Sequence, residues 1–335
     1  RQQLADALCG KLFADVNRIE ERTTMAFAFF FPGQGSQSLH MMDGFNNISV
    51  VRHTFQEASD VLGEDLWAMI NGDDAAKLNA TVITQPLMLT AGVATWRAYQ
   101  HLGGVTPAAL AGHSLGEYTA LVAAQSLDFA TAIKLVSERA HLMQNAVPQG
   151  VGAMAAILGL SDEDVMDVCR LAQDGGEVVE AVNFNAVGQV VIAGNTAAVE
   201  TAMALAKEKG AKRALPLPVS VPSHCSLMKP AAEKLKAYLE NVAIAAPQIP
   251  VIHNVDVNTH QDVALIKDAL VRQLYSPVLW TQTVNRLVED GITEAAECGP
   301  GKVLAGLSKR INKEASCVAL TKQEDLEAFI AAHSA

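Results

Sequence analysis

Gly112-His113-Ser114-Leu115-Gly116 stands between a short apolar run, Ala108 to Ala111, and a helical pattern from Leu115 to Ala124. A Gly-x-Ser-x-Gly pentapeptide in that setting calls for a strand that stops, turns sharply and feeds straight into a helix, with the serine lifted out at the end of a sheet. Both glycines follow from that turn, because a side chain at either place would crowd the backbone. The rest of the chain is organised to match. From Met25 onward short apolar runs alternate with helical patterns in the order of parallel βαβ units. Ala26 to Phe31 reads as a buried strand, Pro32-Gly33-Gln34-Gly35 as a turn, Gln85 to His101 as a helix, and Phe129 to Asn145 as another that Asp128 is placed to cap. The expected fold class is α/β with a parallel sheet at the core.

The texture changes at Pro148-Gln149-Gly150. From there to about Ser220 the order is strand (Met154 to Leu158), helix (Ser161 to Leu171), two strands (Val178 to Val182, Gln189 to Ile192), helix (Ala197 to Lys209) and strand (Arg213 to Leu217). That β-α-β-β-α-β order is the ferredoxin-like pattern. It reads as an insert, because the βα alternation then resumes with a helix at Leu227 to Leu239, a strand around Val251 and a helix at Asp262 to Tyr275. The expected organisation is a large unit over 25–149 and 221–335, a small unit over 150–220, and an extension over 1–24. Leu4, Leu8, Leu12, Val16 and Ile19 recur at helical spacing in that extension, among four basic and four acidic residues, so it reads as an amphipathic helix. It has neither the apolar block nor the acid-poor composition of a targeting signal. Met25 is the expected natural start, and residues 1–24 either an added extension or a helix packed on the surface.

Composition closes off several functions. Lys plus Arg number 25 against 36 Asp plus Glu, and a net charge of −11 weighs against nucleic acid as a partner. The longest apolar stretch, Val151 to Leu160, falls well short of the ~20 residues a membrane helix needs, so no membrane association is expected. Cys9, Cys169, Cys225, Cys298 and Cys317 form no Cys-x-x-Cys pair and read as reduced thiols of a cytoplasmic protein, with no zinc site. Aromatics make up only 5% of residues, so the interior is expected to be packed from Ala, Val, Leu and Ile rather than rings.

A serine hydroxyl is a poor nucleophile until a base takes its proton, so Ser114 needs a histidine brought to it by the fold. His224, in Val221-Pro222-Ser223-His224-Cys225, follows a strand and precedes a helix where the chain re-enters the large unit; the alternative is a helix-capping histidine. His253 is the reserve choice, and His113 reads as structural. The backbone N–H of Leu115 at the helix start, with that of Gln34 in the glycine turn, is placed to face a developing oxyanion. The turn lacks the third glycine of a dinucleotide fingerprint, and no nucleotide cofactor is expected.

Arg139 falls on the apolar stripe of its helix, with Ala132, Leu135, Val136, Leu142 and Met143. A guanidinium facing inward must find an anion or carbonyl partners. A structural Asp or Glu would satisfy it, but beside an exposed serine nucleophile a substrate carboxylate is the sharper reading, since the planar fork matches it bidentately. Cys225 and Cys298 read as core residues, Gly299-Pro300-Gly301 as a turn, and Asn183, Asn185 and Gln189 as candidate polar residues of the cleft in the small unit.

Together these residues resemble the malonyl-coenzyme A:acyl carrier protein transacylases of bacterial fatty acid synthesis, the FabD-type acyltransferase family. Phe31-Pro-Gly-Gln-Gly-Ser-Gln37, Gly112-His-Ser-Leu-Gly-Glu-Tyr118, Val182-Asn-Phe-Asn185, Pro216-Leu-Pro-Val-Ser-Val-Pro-Ser-His224, Val271-Arg-Gln-Leu-Tyr275 and Gly299-Pro-Gly-Lys302 stand in that family's order. The resemblance implies an α/β-hydrolase-like large domain with a ferredoxin-like insert. It implies ping-pong transfer of a malonyl group from malonyl-coenzyme A to acyl carrier protein, with Ser114 as nucleophile and His224 as base and then acid. Gln34 and Leu115 would hold the oxyanion, Arg139 the malonyl carboxylate, and Gln273 would supply the oxygen that orients the histidine. No cofactor is implied, and the enzyme is expected to be a cytoplasmic monomer. A serine hydrolase with the same pair, and a carrier-protein scaffold with a vestigial site, are the rival readings. Acyl carrier proteins are strongly acidic, so docking on a chain of −11 needs a local basic patch, either Lys309-Arg310 with Lys313 or Lys212-Arg213.

Overall fold

Strand β1 (Phe27–Phe31) is buried along its whole length, as a strand covered by helices on both faces must be. A computed structural model describes residues 26–173 and 175–334, so the reading of residues 1–24, with Cys9 and Met25, lies outside the described residues. After β1 come α1 (Ser49–Leu62), α2 (Leu66–Ile70), α3 (Thr81–His101), β2 (Ala109–Gly112), α4 (Gly116–Ala123) and α5 (Phe129–Gln144). A second run follows with β3 (Gly152–Leu158), α6 (Asp162–Ala172), β4 (Val179–Ala186), β5 (Gln189–Asn195), α7 (Thr196–Glu208) and β6 (Arg213–Pro216). The chain closes with α8 (Lys229–Leu239), β7 (Val251–Ile252), α9 (Val263–Gln273), α10 (Trp280–Glu289), β8 (Glu294–Cys298), α11 (Val303–Ile311), β9 (Ser316–Leu320) and α12 (Gln323–Ala332).

Five strands form a parallel sheet in the order β7-β2-β1-β8-β9, and β4-β5-β3-β6 form an antiparallel sheet of four. The second sheet, with α6 and α7, has the strand order of a ferredoxin-like unit. The pleat of β1 splits its side chains between two cores. Phe27, Phe29 and Phe31 face α3 and α12, where the Phe29 ring lies 4.6 Å from Tyr99 and Phe27 meets Phe329 edge-on at 5.0 Å. Ala28 and Phe30 face α10, with Phe30 edge-on to Trp280 at 5.0 Å. The core is therefore not ring-poor at its centre: the few aromatics are concentrated on β1 and the helices over it. Each buried Phe contributes roughly 1.5–3 kcal/mol by its removal from water.

The Asp128 side chain caps α5 by accepting the Thr131 N–H at 3.2 Å. Helix α3 begins at Thr81, ahead of the expected Gln85, because the Thr84 hydroxyl donates to Ala80 O at 3.0 Å and helps close a turn before Pro86. The helix is buried almost throughout, which puts Gln85 inside the protein at 2% exposure. No helix among the described residues is long and apolar enough to cross a membrane.

Candidate active site

Strand β2 ends at Gly112, and α4 begins at Gly116. Ser114 between them has φ +52°, a left-handed conformation that a serine adopts only when its surroundings hold it there. A Cβ on Gly112 would lie 1.9 Å from the Gly116 carbonyl group, and one on Gly116 would lie 2.0 Å from Phe31 O. Both positions exclude any side chain, as the turn geometry requires. Gly33 packs on the same turn, since its Cβ would meet His113 O at 2.5 Å. The loop after β1 is thereby pressed against the serine.

His224 reaches Ser114 from across the cleft, its Nε2 2.7 Å from Ser114 Oγ. Its Nδ1 lies 2.7 Å from the main-chain oxygen of Gln273. A carbonyl oxygen only accepts, so Nδ1 carries the proton and Nε2 presents a lone pair to the serine hydroxyl. Burial, reinforced by the nearby charge of Arg139, depresses the imidazole pKa to about 3, which keeps it neutral and able to accept a proton. Among the described residues no carboxylate orients it.

Arg139 is 1% exposed on α5. Its Nη1 donates to Gln85 Oε1 at 2.7 Å, and its Nη2 to Gln273 Oε1 at 3.0 Å and, more weakly, to Ser114 Oγ at 3.4 Å. The guanidinium stacks over the Tyr118 ring, 5.2 Å from its centroid. Burial lowers its pKa, and the Tyr118 and Glu117 groups oppose that shift. Its acceptors are thus neutral amide and hydroxyl oxygens, which do not cancel its charge, and among the described residues its Nε–H finds no acceptor.

The Leu115 N–H sits at the start of α4 and that of Gln34 in the loop after β1; among the described residues neither donates a hydrogen bond. By contrast the Ser114 N–H is engaged, donating to Asn254 Oδ1 at 2.8 Å. A cavity of about 320 Å³ opens over Ser114, lined among others by Gln34, His224, Met154, Asn183 and Leu217. The last three come from or adjoin the antiparallel sheet, so the small unit forms the far wall.

Other expectations fare differently. His253 is not a reserve base: it is fully buried behind the turn, Nδ1 3.5 Å from Glu117 Oε2, and although burial alone would lower its pKa, the Glu117 carboxylate holds it above the ordinary value. His113 is turned away from the serine, with Nε2 2.7 Å from Asn185 Oδ1. Asn185 therefore ties the small unit to the turn, whereas Asn183 faces the cavity. Gln189 does not reach the cleft; its Oε1 accepts from Arg310 at 3.0 Å. Cys225 and Cys298 are buried, and burial raises both thiol pKa values, Cys225 to about 12. Gly299-Pro300-Gly301 is a turn packed on the loop after β1, where a Gly299 Cβ would meet Pro32 at 2.8 Å. Gln85 and Asn254 escaped the sequence reading. Gln85 stands at the start of a helical pattern and Asn254 beside His253 in a mixed polar stretch, signals that by themselves fit an ordinary turn or surface residue.

The chain matches the acyl transferase domain family over residues 28–328. The malonyl CoA-acyl carrier protein transacylase of Salmonella typhimurium is 54% identical over 305 residues, which cover 91% of this chain and 98% of that one. The enzyme of the same name from Bacillus subtilis is 44% identical over 304 residues, 90% of this chain and 96% of its own. The crystal structure of an acyl carrier protein S-malonyltransferase from Vibrio cholerae superposes with TM-score 0.88 at 56% identity, covering 90% of this chain and 99% of that one. A malonyl-transacylase solved in complex with a type II PKS acyl-carrier protein superposes with TM-score 0.90 at 51% identity, over 92% and 99%.

Proposed function

The chain belongs to the acyl transferase domain family, and from that membership and the geometry of the cleft we propose how its residues move a malonyl group from malonyl-coenzyme A to acyl carrier protein. It is an acyl carrier protein S-malonyltransferase of fatty acid synthesis. The observation that carries the assignment of roles is the sharing of one oxygen: Ser114 Oγ lies 2.7 Å from His224 Nε2 and 3.4 Å from Arg139 Nη2.

His224 Nε2 takes the hydroxyl proton as Ser114 Oγ attacks the thioester carbonyl carbon. The oxyanion that forms is held by the Leu115 and Gln34 N–H groups, which need no reorganisation because among the described residues neither donates elsewhere. Collapse breaks the C–S bond, the coenzyme A thiolate leaves with the proton from His224, and a malonyl ester remains on Ser114. In the second half the phosphopantetheine thiol of acyl carrier protein gives its proton to His224, sulfur attacks the ester, and Ser114 Oγ departs and is reprotonated. Arg139 holds the malonyl carboxylate throughout. Every step is balanced by the Ser114–His224 pair, so none calls for a cofactor, and a monomer would suffice for the reaction. Its scattered cysteines fit a cytoplasmic setting.

For docking, α11 is the better of the two basic candidates. Lys302, Lys309, Arg310 and Lys313 are exposed at and beyond its ends and along its outer side, and its leading turn packs on the loop that carries Gln34, with a Gly301 Cβ 3.3 Å from Ser36. An acidic carrier protein seated there would hold its prosthetic arm close to the cavity. Incubation with malonyl-coenzyme A and no acceptor tests the assignment by intact-protein mass. One malonyl group is expected to persist on Ser114 and to leave when acyl carrier protein bearing a free phosphopantetheine thiol is added. Rapid release of free malonate would mark a hydrolase instead, and turnover unchanged in Ser114→Ala would mark a scaffold.

A further inference from the structure

Strand β7 pairs with β2 in parallel register, Val251 beside Leu110 and Ile252 beside Ala111. Two residues beyond that pairing, Asn254 is carried alongside the sharp turn that holds the nucleophile. Its side chain is fully buried. Nδ2 donates to Gly112 O at 2.7 Å, and Oδ1 accepts both the Ser114 N–H at 2.8 Å and the Gln273 Nε2–H at 3.2 Å. Its own N–H donates to Glu117 Oε1 at 2.5 Å, and Gln273 Nε2 also donates to Ser114 O at 2.9 Å. One amide thus closes the turn across His113, from the carbonyl before it to the N–H after it. The same amide fixes Gln273, whose main-chain oxygen orients His224 and whose Oε1 anchors Arg139.

We propose that Asn254 is a positioning residue that sets nucleophile, base and carboxylate-binding cation in a common register, and that it keeps the Ser114 N–H out of the oxyanion site. The inference rests on the malonyl-transfer reading above. Asn254 touches no reacting atom, and it acts through Ser114 and Gln273. The left-handed backbone of Ser114 makes this support necessary, because without it the turn is free to relax and carry Oγ away from His224.

The test is single-turnover loading of Asn254→Ala with malonyl- and acetyl-coenzyme A, read by intact-protein mass beside the unaltered protein, with thermal unfolding to confirm the fold. Loading is expected to slow by about 10²-fold, the scale of a misplacement near 1 Å, in the rate constant rather than in the donor concentration needed. The preference for malonyl over acetyl is expected to narrow, because Gln273 loses its anchor. Asn254→Asp keeps both acceptor contacts and loses the donation to Gly112 O. It should load faster than Asn254→Ala, about 10-fold below the unaltered protein, and retain the malonyl preference. If Asn254→Ala does not fold, Asn254→Asp decides alone: a slowed rate constant with preference kept supports the proposal, and an unchanged rate or a narrowed preference overturns it. Loading of Asn254→Ala at the original rate and preference also overturns it. Failure of the unaltered protein to form a malonyl-enzyme would instead bring down the functional reading, so the two failures are distinct.

Discussion

Replacing Arg139 by Ala separates a carboxylate-binding role from a merely structural one. The guanidinium is 1% exposed, and Gln85 Oε1, Gln273 Oε1 and Ser114 Oγ accept its hydrogen bonds. A malonyl carboxylate entering beside Ser114 therefore meets an uncancelled charge in a water-poor site. Removing one partner of such a buried pair costs about 3–5 kcal/mol, or roughly 10²–10⁴-fold in loading rate. Acetyl donors have no carboxylate and forfeit none of this. Damage passed on through the Gln273 main-chain oxygen to His224 slows both donors alike and cancels in their ratio. The assay is the single-turnover rate of Ser114 acylation by each donor, followed by intact-protein mass. The malonyl-to-acetyl rate ratio is expected to fall by roughly 10²–10⁴-fold in Arg139→Ala. Two rates that drop together at constant ratio would refute the carboxylate role and leave Arg139 as a strut for Gln273.

Three further outcomes follow from the same geometry. Because burial and the Arg139 charge hold His224 to about 3, the base stays deprotonated through the mildly acid range, and kcat/KM for malonyl-coenzyme A should show no fall between pH 8 and 5; a limb near the ordinary imidazole value of 6.5 would contradict this. Burial lifts the Glu297 carboxyl from 4.5 to about 7, so the folded state binds that proton more tightly than the unfolded one, and stability is full below 4.5 and falls as pH rises toward 7 by up to roughly 3 kcal/mol. Glu297→Gln keeps an acceptor for the Ala305 N–H and should remove that fall in Tm between pH 5 and 8; an equal fall in the variant would show that another group is responsible. Charge reversal at Lys309 and Arg310 should raise KM for acyl carrier protein while leaving malonyl loading unchanged, and an unaltered KM would take α11 out of the docking surface.

The parts of the fold legible in the sequence are those whose information is local. The strand of Phe27 to Phe31, the sharp turn at Ser114, the cap at Asp128 and the β-α-β-β-α-β order of the small unit each rest on contiguous patterns. The C-terminal strands were not legible. β8 reads Glu294-Ala-Ala-Glu-Cys298, with a carboxylate at Glu297 that is fully buried, and nothing local marks that run as the neighbour of β1. Its strand character comes from pairing with β1 on one side and β9 on the other, which is tertiary information. The start of α3 was obscured similarly, because Pro86 resembles a first-turn residue while a side-chain hydrogen bond from Thr84 extends the helix behind it.

In the site, the charged and nucleophilic residues stood out in the local pattern, Gln273 came only through the family resemblance and Gln85 and Asn254 not at all, and the chemistry explains the difference. Ser114, His224 and Arg139 stand out because a nucleophile, a base and an inward-facing cation each violate the local pattern. Gln85, Gln273 and Asn254 violate nothing until the fold gathers them from α3, α9 and the loop after β7. They are amides for a reason that the buried cation supplies. A carboxylate in place of Gln85 or Gln273 would pair with Arg139 and leave less of its charge for a substrate, and beside His224 it would favour imidazolium and weaken the base. An amide oxygen accepts the same N–H donors without charge, and its NH₂ group can be passed on to the next acceptor, as Gln273 does to Ser114 O and Asn254 Oδ1. A cleft that must both keep a neutral histidine and offer a guanidinium to a substrate thus has amides as its direct supports, with the Glu117 carboxylate set behind the turn, and amides leave the weakest mark on a sequence.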